Sequence, residues 1–178
     1  MNQTAVTPVL LGMLSLGPRS GYDIKAIVDR STRFFWAASY GQIYPELRRL
    51  EQDGLIEGKD APTGGRNRRV YRLTKAGREA LRDWLFGSTV TIELRDESLL
   101  RLFFADALPR EEALLLLEGR KKGHEEYLKV LREIEARPGG KDPDFVDLVL
   151  RWGIEFNEWG AQWCEKHLRR LRDETKAA

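Results

Sequence analysis

Residues 6–16 read VTPVLLGMLSL, an almost unbroken apolar run with Pro8 where a first helical turn tolerates it and Gly17-Pro18 as a stop. The run predicts a buried first helix. Ser20 then stands as an N-cap, with Asp23 three residues on in the spacing of a capping box. A second helix is expected over GYDIKAIVDRSTRFF, with Tyr22, Ile24, Ile27 and Val28 turned inward. A third helix opens at Ser39 or Gly41. Its apolar residues Ile43, Leu47 and Leu50 recur in steps of four and three on one face, leaving Tyr40, Gly41, Tyr44 and Arg48 on the other. Pro45 lacks the amide that a second-turn hydrogen bond needs, so a kink or restart is expected there, with Tyr40, Gln42 and Tyr44 presented outward. Gly54 follows where a left-handed cap belongs. Two extended runs, residues 55–60 and 68–74, flank the turn signal Pro62-Thr63-Gly64-Gly65 and predict a β-hairpin.

Beyond the hairpin the pattern is helical throughout. Thr74 caps a fourth helix whose apolar positions are Leu73, Ala76, Ala80, Leu81, Trp84 and Leu85, and Gly87 ends it. Residues 88–95 are polar and β-branched, and a boundary is placed there. A short element follows over residues 97–108. Pro109 then occupies N1 of a longer helix that carries Glu111 and Glu112 in its first turn and runs to about Ala136, with Leu114, Leu117, Leu128, Leu131 and Ile134 as its core face. Pro138-Gly139-Gly140 breaks it. The last helix, from Pro143 to about Thr175, bears Phe145, Leu148, Trp152, Phe156, Trp159 and Trp163 in steps of three or four, a stripe too wide for one helix to hide alone. The expected fold is mostly α with a small β-hairpin. Residues 1–87 form a winged helix-turn-helix, and residues 88–178 form a helical domain suited to dimerisation.

Charge sharpens this division. Across 178 residues the formal net charge is only +2 although 33% are charged, so bulk charge does not point to nucleic acid. Up to Phe86, however, 14 Lys and Arg face 9 Asp and Glu, a net +5, whereas the remainder is −3. The basic excess travels with the helix and hairpin, as an electrostatic footprint on phosphate does. A hydrophobic content of 42% supports a real core, and the single cysteine, Cys164, excludes an internal disulfide framework. No apolar run approaches the ~20 residues that span a bilayer, and no charged leader with a cleavage site is seen. A cytoplasmic protein with no membrane partner is expected.

The candidate chemistry is recognition. Gln42, Tyr44 and Arg48 are candidates for base or phosphate contact, since Gln suits the paired edge of adenine and Arg that of guanine. Ser39, Tyr40 and Tyr44 are better placed to hold phosphates, which position without specifying. Lys25, Arg30 and Arg33 of the second helix could touch the backbone or simply be solvated. Arg66, Arg68 and Arg69 at the hairpin form the strongest charge cluster in the chain. Enzymatic chemistry finds little support: Cys164 and His167 lie three apart on one helix without an orienting third group or oxyanion donors, and there is no phosphate-cradling glycine loop. His124 and His167 lack metal-ligand spacing, so neither metal nor cofactor is expected. For Trp152, Trp159 and Trp163, core or dimer packing is favoured over a ligand pocket, because an aromatic stripe at helical spacing is more often core. A winged-helix module that binds protein rather than DNA is the competing reading. It has no need of three clustered arginines.

Three segments carry a resemblance: LLGMLSLGPRSGYDI, SYGQIYPELRRLEQDGLI and GRNRRVYRLTKAGREAL, together covering about residues 9–85. They resemble the PadR-like transcriptional regulators, and the C-terminal half is similar to the larger helical domain of the virulence-activator-like subgroup. The resemblance implies a homodimeric winged-helix repressor or regulator with its third helix in the major groove, its wing on adjacent backbone, and its C-terminal helices forming the dimer interface. Tyr22, Ser39, Tyr40, Gln42 and Tyr44 are thereby implied to face double-stranded operator DNA. A small aromatic or phenolic effector is implied for the helical half. Where other members often carry a proline-containing SPGS-like tetrapeptide, this chain has SYGQ, so its base-reading residues are its own.

Overall fold

The computed structural model describes residues 4–32, 35–36, 39–63, 66–87, 96–137 and 144–177. The sequence readings at Arg33, Gly64-Gly65, residues 88–95, Pro138-Gly139-Gly140 and Pro143 lie outside these. The chain divides into two compact units, residues 1–91 and 92–178, each described by itself.

In the first unit α1 (Thr7–Ser15) leads through a two-residue strand β1 (Arg19–Ser20) into α2 (Gly21–Val28). α3 (Tyr40–Gln52), β2 (Ile56–Thr63), β3 (Arg66–Leu73) and α4 (Lys75–Leu85) follow. The sheet has the order β1-β3-β2 and is antiparallel, with Ser20 opposite Val70 and Thr63 opposite Arg66. The core is built from Leu10, Leu11 and Leu14 of α1, Ile24 and Val28 of α2, and Ile43, Leu47 and Leu50 of α3, closed by Leu55, Ile56, Tyr71 and Leu73. This is a winged helix, mostly α with a small sheet.

Local chemistry explains the boundaries. The Ser20 hydroxyl accepts from the Asp23 amide, and the Asp23 carboxylate accepts from the Ser20 amide, completing the capping box. α2 stops at Val28, short of the sequence expectation, and the chain then turns so that the Trp36 indole donates to the Ala5 carbonyl. α3 ends in a Schellman motif: Gly54 has φ +70°, its amide donates to Glu51, and the Leu55 amide donates to Leu50. Pro45 neither breaks nor restarts α3, which runs unbroken. The expectation overlooked an anchor. Glu46 is buried, accepts from Thr7 on α1 and from the Arg49 guanidinium at 2.6 and 3.0 Å, and Arg49 reaches on to Asp53. Arg49 beside it holds the Glu46 carboxyl below the usual range although burial opposes this.

α4 is capped by Thr74, whose hydroxyl accepts from the Gly77 amide. Its inner face is Gly77, Ala80 and Leu81; Trp84 and Leu85, expected inside, are exposed, as is Ala76. α4 is too close to the sheet for a larger face. A Cβ on Gly77 would stand 2.0 Å from the Leu55 carbonyl oxygen, a bond acceptor for the Thr74 amide.

The second unit holds α5 (Glu97–Phe103), a single 3₁₀ turn over Ala105–Ala107, α6 (Arg110–Glu135) and α7 (Asp144–Ala177). The expected element over residues 97–108 therefore breaks at Phe104, and Pro109 is the N-cap of α6 rather than its first residue. α6 and α7 pair antiparallel, as the contacts Arg110 to Glu174, Lys121 to Glu165 and Arg132 to Glu158 establish. Leu117, Cys164 and Leu168 form the buried seam, with Leu131 and Ile154 buried further along the helices. The aromatic stripe of α7 is offset from it. Phe145, Leu148, Trp152, Phe156 and Trp159 are exposed, so within one copy they are a surface and not the core.

α5 is locked to α6 by Asp96, the α5 N-cap, which accepts from the Leu99 amide at 3.0 Å and from Arg120 at 2.8 Å. Burial disfavours the Asp96 charge, but Ser98, Arg120 and the Leu99 amide outweigh it and hold the carboxyl at about 2, below its ordinary 3.8. A depressed carboxyl stabilises the fold fully above pH 4, by on the order of 2 kcal/mol, and that share is lost as pH falls towards 2. Arg120→Ala is therefore expected to destabilise the protein at pH 7 and by about half as much near pH 3, read by denaturant unfolding. A gap that fails to narrow on acidification removes Asp96 as the titrating group.

Candidate nucleic-acid interface

α3 offers one face to the core and one to solvent. Tyr40, Gly41, Gln42, Tyr44 and Arg48 all lie on the exposed face, as their spacing requires. Tyr40 and Tyr44, one turn apart, stack with centroids 6.2 Å apart and planes 14° off parallel. Lys25 of α2 sits 5.2 Å from the Tyr40 ring centre while its ammonium pairs with Asp29. The Tyr44 ring lies against the start of α2, where a Cβ on Gly21 would come within 2.8 Å of it. Gly21 is thus the residue that lets α2 and α3 close around this ring. Tyr22, expected to turn inward from its pattern, is 66% exposed instead. It is the second residue of α2, and Ile24 and Val28 already fill the core. Arg48 is exposed with no carboxylate partner among the described residues.

The first turn of α3 has a specific arrangement. Ser39 is the N-cap, and the Gln42 side-chain oxygen accepts from both the Ser39 amide at 3.0 Å and the Ser39 hydroxyl at 3.1 Å. Gln42 is therefore at once exposed and engaged.

The arginines of the wing are less free than their sequence suggests. Successive strand residues point to opposite sides, and each of two finds acid there. Arg68 pairs with Asp23 of α2 at 2.5 Å, and Arg69 pairs with Glu51 of α3 at 2.6 Å and with Asp60 across the hairpin at 2.8 Å. Glu51 also accepts from the Gly58 amide at 2.9 Å, and Gly58 has no side chain because Arg69 and Glu51 fill that space. Burial opposes the Asp23 charge, but Ser20 and Arg68 hold the carboxyl below its ordinary value. Arg66 lies in β3 opposite Thr63. The sequence reading had Asp23 only as a helix cap and did not name Glu51 or Asp60 as arginine partners. Only Asp60 left a signal, since hairpin register sets it opposite Arg69.

Residues 10–83 match the transcriptional regulator PadR-like family, and residues 94–172 match the virulence activator alpha C-terminal family. The negative transcriptional regulator PadR of Bacillus subtilis (strain 168) is 32% identical over 169 residues, covering 89% of this chain and 93% of that protein. This chain belongs to the PadR-like family of transcriptional regulators. B. subtilis PadR in complex with operator DNA is similar in structure at a TM-score of 0.84 and 30% identity, covering 94% of this chain and 99% of that one. The same protein in complex with p-coumaric acid gives 0.77 at 30% identity, covering 95% and 99%. Tyr22, Lys25, the face built by Tyr40, Gln42, Tyr44 and Arg48, and the wing arginines Arg66, Arg68 and Arg69 all lie within the PadR-like segment.

Elsewhere in this PadR-family chain, Cys164 is buried in the α6–α7 seam and burial pushes its thiol up, which leaves it protonated at neutral pH. His167 lies against Trp163 with ring centres 4.4 Å apart and planes tilted by 49°, and His124 faces the Asn157 side-chain oxygen at 3.0 Å. Among the described residues no group of three side chains is placed to hold a metal ion, and no helix is long and apolar enough to cross a membrane.

Proposed function

We propose that this protein is a sequence-specific DNA-binding repressor that acts as a homodimer, with α3 in the major groove and the wing on flanking phosphate. The observation that carries the reading is the exposed face of α3, where two stacked tyrosines and an amide stand in the first two turns and the exposed Arg48 follows one turn later. In helix-turn-helix proteins the N-terminal residues of the recognition helix meet the base edges. B. subtilis PadR, whose complex holds operator DNA, supplies the support for the partner, and its description as a negative regulator supports repression. The paired Arg68 and Arg69 are compatible with a phosphate role. Exposed ion pairs are worth only ~0–1 kcal/mol, so a phosphate can take Arg68 from Asp23 at little cost.

The exposed rings of α7, from Phe145 to Trp159, are the surface on which a second copy closes a two-fold contact. Control by a small aromatic effector belongs to the same reading and rests on the p-coumaric acid complex of B. subtilis PadR. The stack of Trp152 on Phe156, 5.3 Å apart and 8° from parallel, offers ring faces to such a compound.

The test is a mobility-shift assay on the region upstream of the protein's own coding sequence. A complex is expected that weakens by ~10³-fold or more between 50 and 200 mM salt if six or more phosphates are contacted. Arg48→Ala and Arg68→Ala should each flatten the salt slope. Absence of any salt-sensitive complex would leave the protein-binding module as the better reading.

A further inference from the structure

We propose that Gln42 reads guanine, through its amide nitrogen alone, because its amide oxygen is committed to the cap of the helix that carries it. The inference rests on the DNA-binding reading and deepens it. A free glutamine side chain matches adenine by presenting oxygen and nitrogen together, accepting from N6 and donating to N7. Here that pair is split. The Gln42 oxygen takes the Ser39 backbone amide at 3.0 Å and the Ser39 hydroxyl at 3.1 Å. The orientation is fixed by chemistry: a backbone N–H can only donate, so the atom facing it must be the oxygen and the NH₂ group must point away.

Releasing the oxygen to meet adenine leaves the Ser39 amide unpaired at a helix start that the DNA itself shields from water. What remains to read with is a group holding two hydrogens and no acceptor. Guanine is the matching base edge, since O6 and N7 are adjacent acceptors. Thymine offers O4 beside a methyl group, and adenine and cytosine set an amino donor against the amide hydrogens. The flanking rings of Tyr40 and Tyr44, stacked 6.2 Å apart, share this exposed face.

The experiment is selection of bound sequences from a randomised duplex pool by the full-length protein and two variants, with thermal unfolding in parallel. For wild type, one position in each half-site is expected to favour guanine by ~3- to 10-fold, as a single donor group allows. Gln42→Glu keeps an acceptor for Ser39, in the usual capping-box form, so its Tm should stay within a few degrees of wild type. That variant should exchange the guanine preference for cytosine, whose amino group a carboxylate accepts. Gln42→Ala should lose both the preference and part of the Tm.

Selection of adenine at a position that Gln42→Glu alters overturns the inference and shows that the side chain leaves its cap on DNA. An unchanged base preference in Gln42→Glu overturns it too, and makes Gln42 a cap alone. Either result leaves DNA binding standing. A wild-type protein that selects no sequence, and forms no salt-sensitive complex, overturns the DNA-binding reading and this inference together.

Discussion

Trp152→Glu is expected to leave the protein monomeric by light scattering and to lower affinity for its two-half-site operator by ~10²- to 10⁴-fold. The side chain is 60% exposed in the single chain, so a charge there does not disturb the seam of Leu117, Cys164 and Leu168. In the proposed dimer the same position is covered, and an unpaired carboxylate buried among Phe145, Leu148 and Phe156 opposes association. The loss on DNA follows without touching any DNA contact. Two linked reading heads gain from effective concentration, and separated heads forfeit it. Truncation after Phe86 should act similarly, because unit one carries its own core. A Trp152→Glu protein that remains dimeric, with circular dichroism and affinity like wild type, would place the two-fold contact elsewhere.

Gly77→Ala should strongly destabilise the first unit. The added carbon meets the Leu55 carbonyl oxygen at 2.0 Å, and that carbonyl is backbone, held by the Thr74 amide and hydroxyl. Relief requires α4 to move off the sheet, and overpacking of this kind costs on the order of 3 kcal/mol, more than the helix-propensity gain of Ala over Gly returns. For a unit of this size the Tm should fall by more than about 10 °C. Gly12→Ala is the companion measurement. Nothing lies within 4 Å of its added carbon, and removing a glycine from a helix interior should raise stability by about 0.5–1 kcal/mol. A Gly77→Ala protein as stable as wild type would mean that α4 is not seated as described.

Local signals in the sequence carried most of the fold. Ser20 with Asp23, Thr74 before α4, and Gly54 after α3 each satisfy backbone groups within four residues, so their geometry is legible without knowing the partner elements. Pairings across long sequence distance were not. Glu46 reads as an ordinary helix-surface acid until Thr7, 39 residues away, turns out to meet it. Arg68 reads as a free cation until Asp23 appears beside it, 45 residues away. α7 misled for another reason. Apolar side chains cover two of its faces, and periodicity finds the wider aromatic one, whereas the partner helix α6 chose the face of small and aliphatic residues around Ile154, Gly160 and Leu168. Tyr22 shows the same limit in miniature: a tyrosine at an inner-looking position was displaced by two aliphatic neighbours that pack better.

One carboxylate oxygen of Glu51 accepts from both the Gly58 amide and the Arg69 guanidinium, while the left-handed Gly54 fixes the turn that follows α3. The helix proposed to meet the groove and the hairpin proposed to meet the backbone are consequently clamped into one rigid jaw. Tilting the jaw's two parts against each other breaks both bonds to Glu51 at once, whereas changing the gap between two jaws breaks neither. In the proposed dimer, a signal arriving at the aromatic helices therefore works as a calliper: it leaves each jaw's grip unaltered and sets whether both can close on the same stretch of duplex.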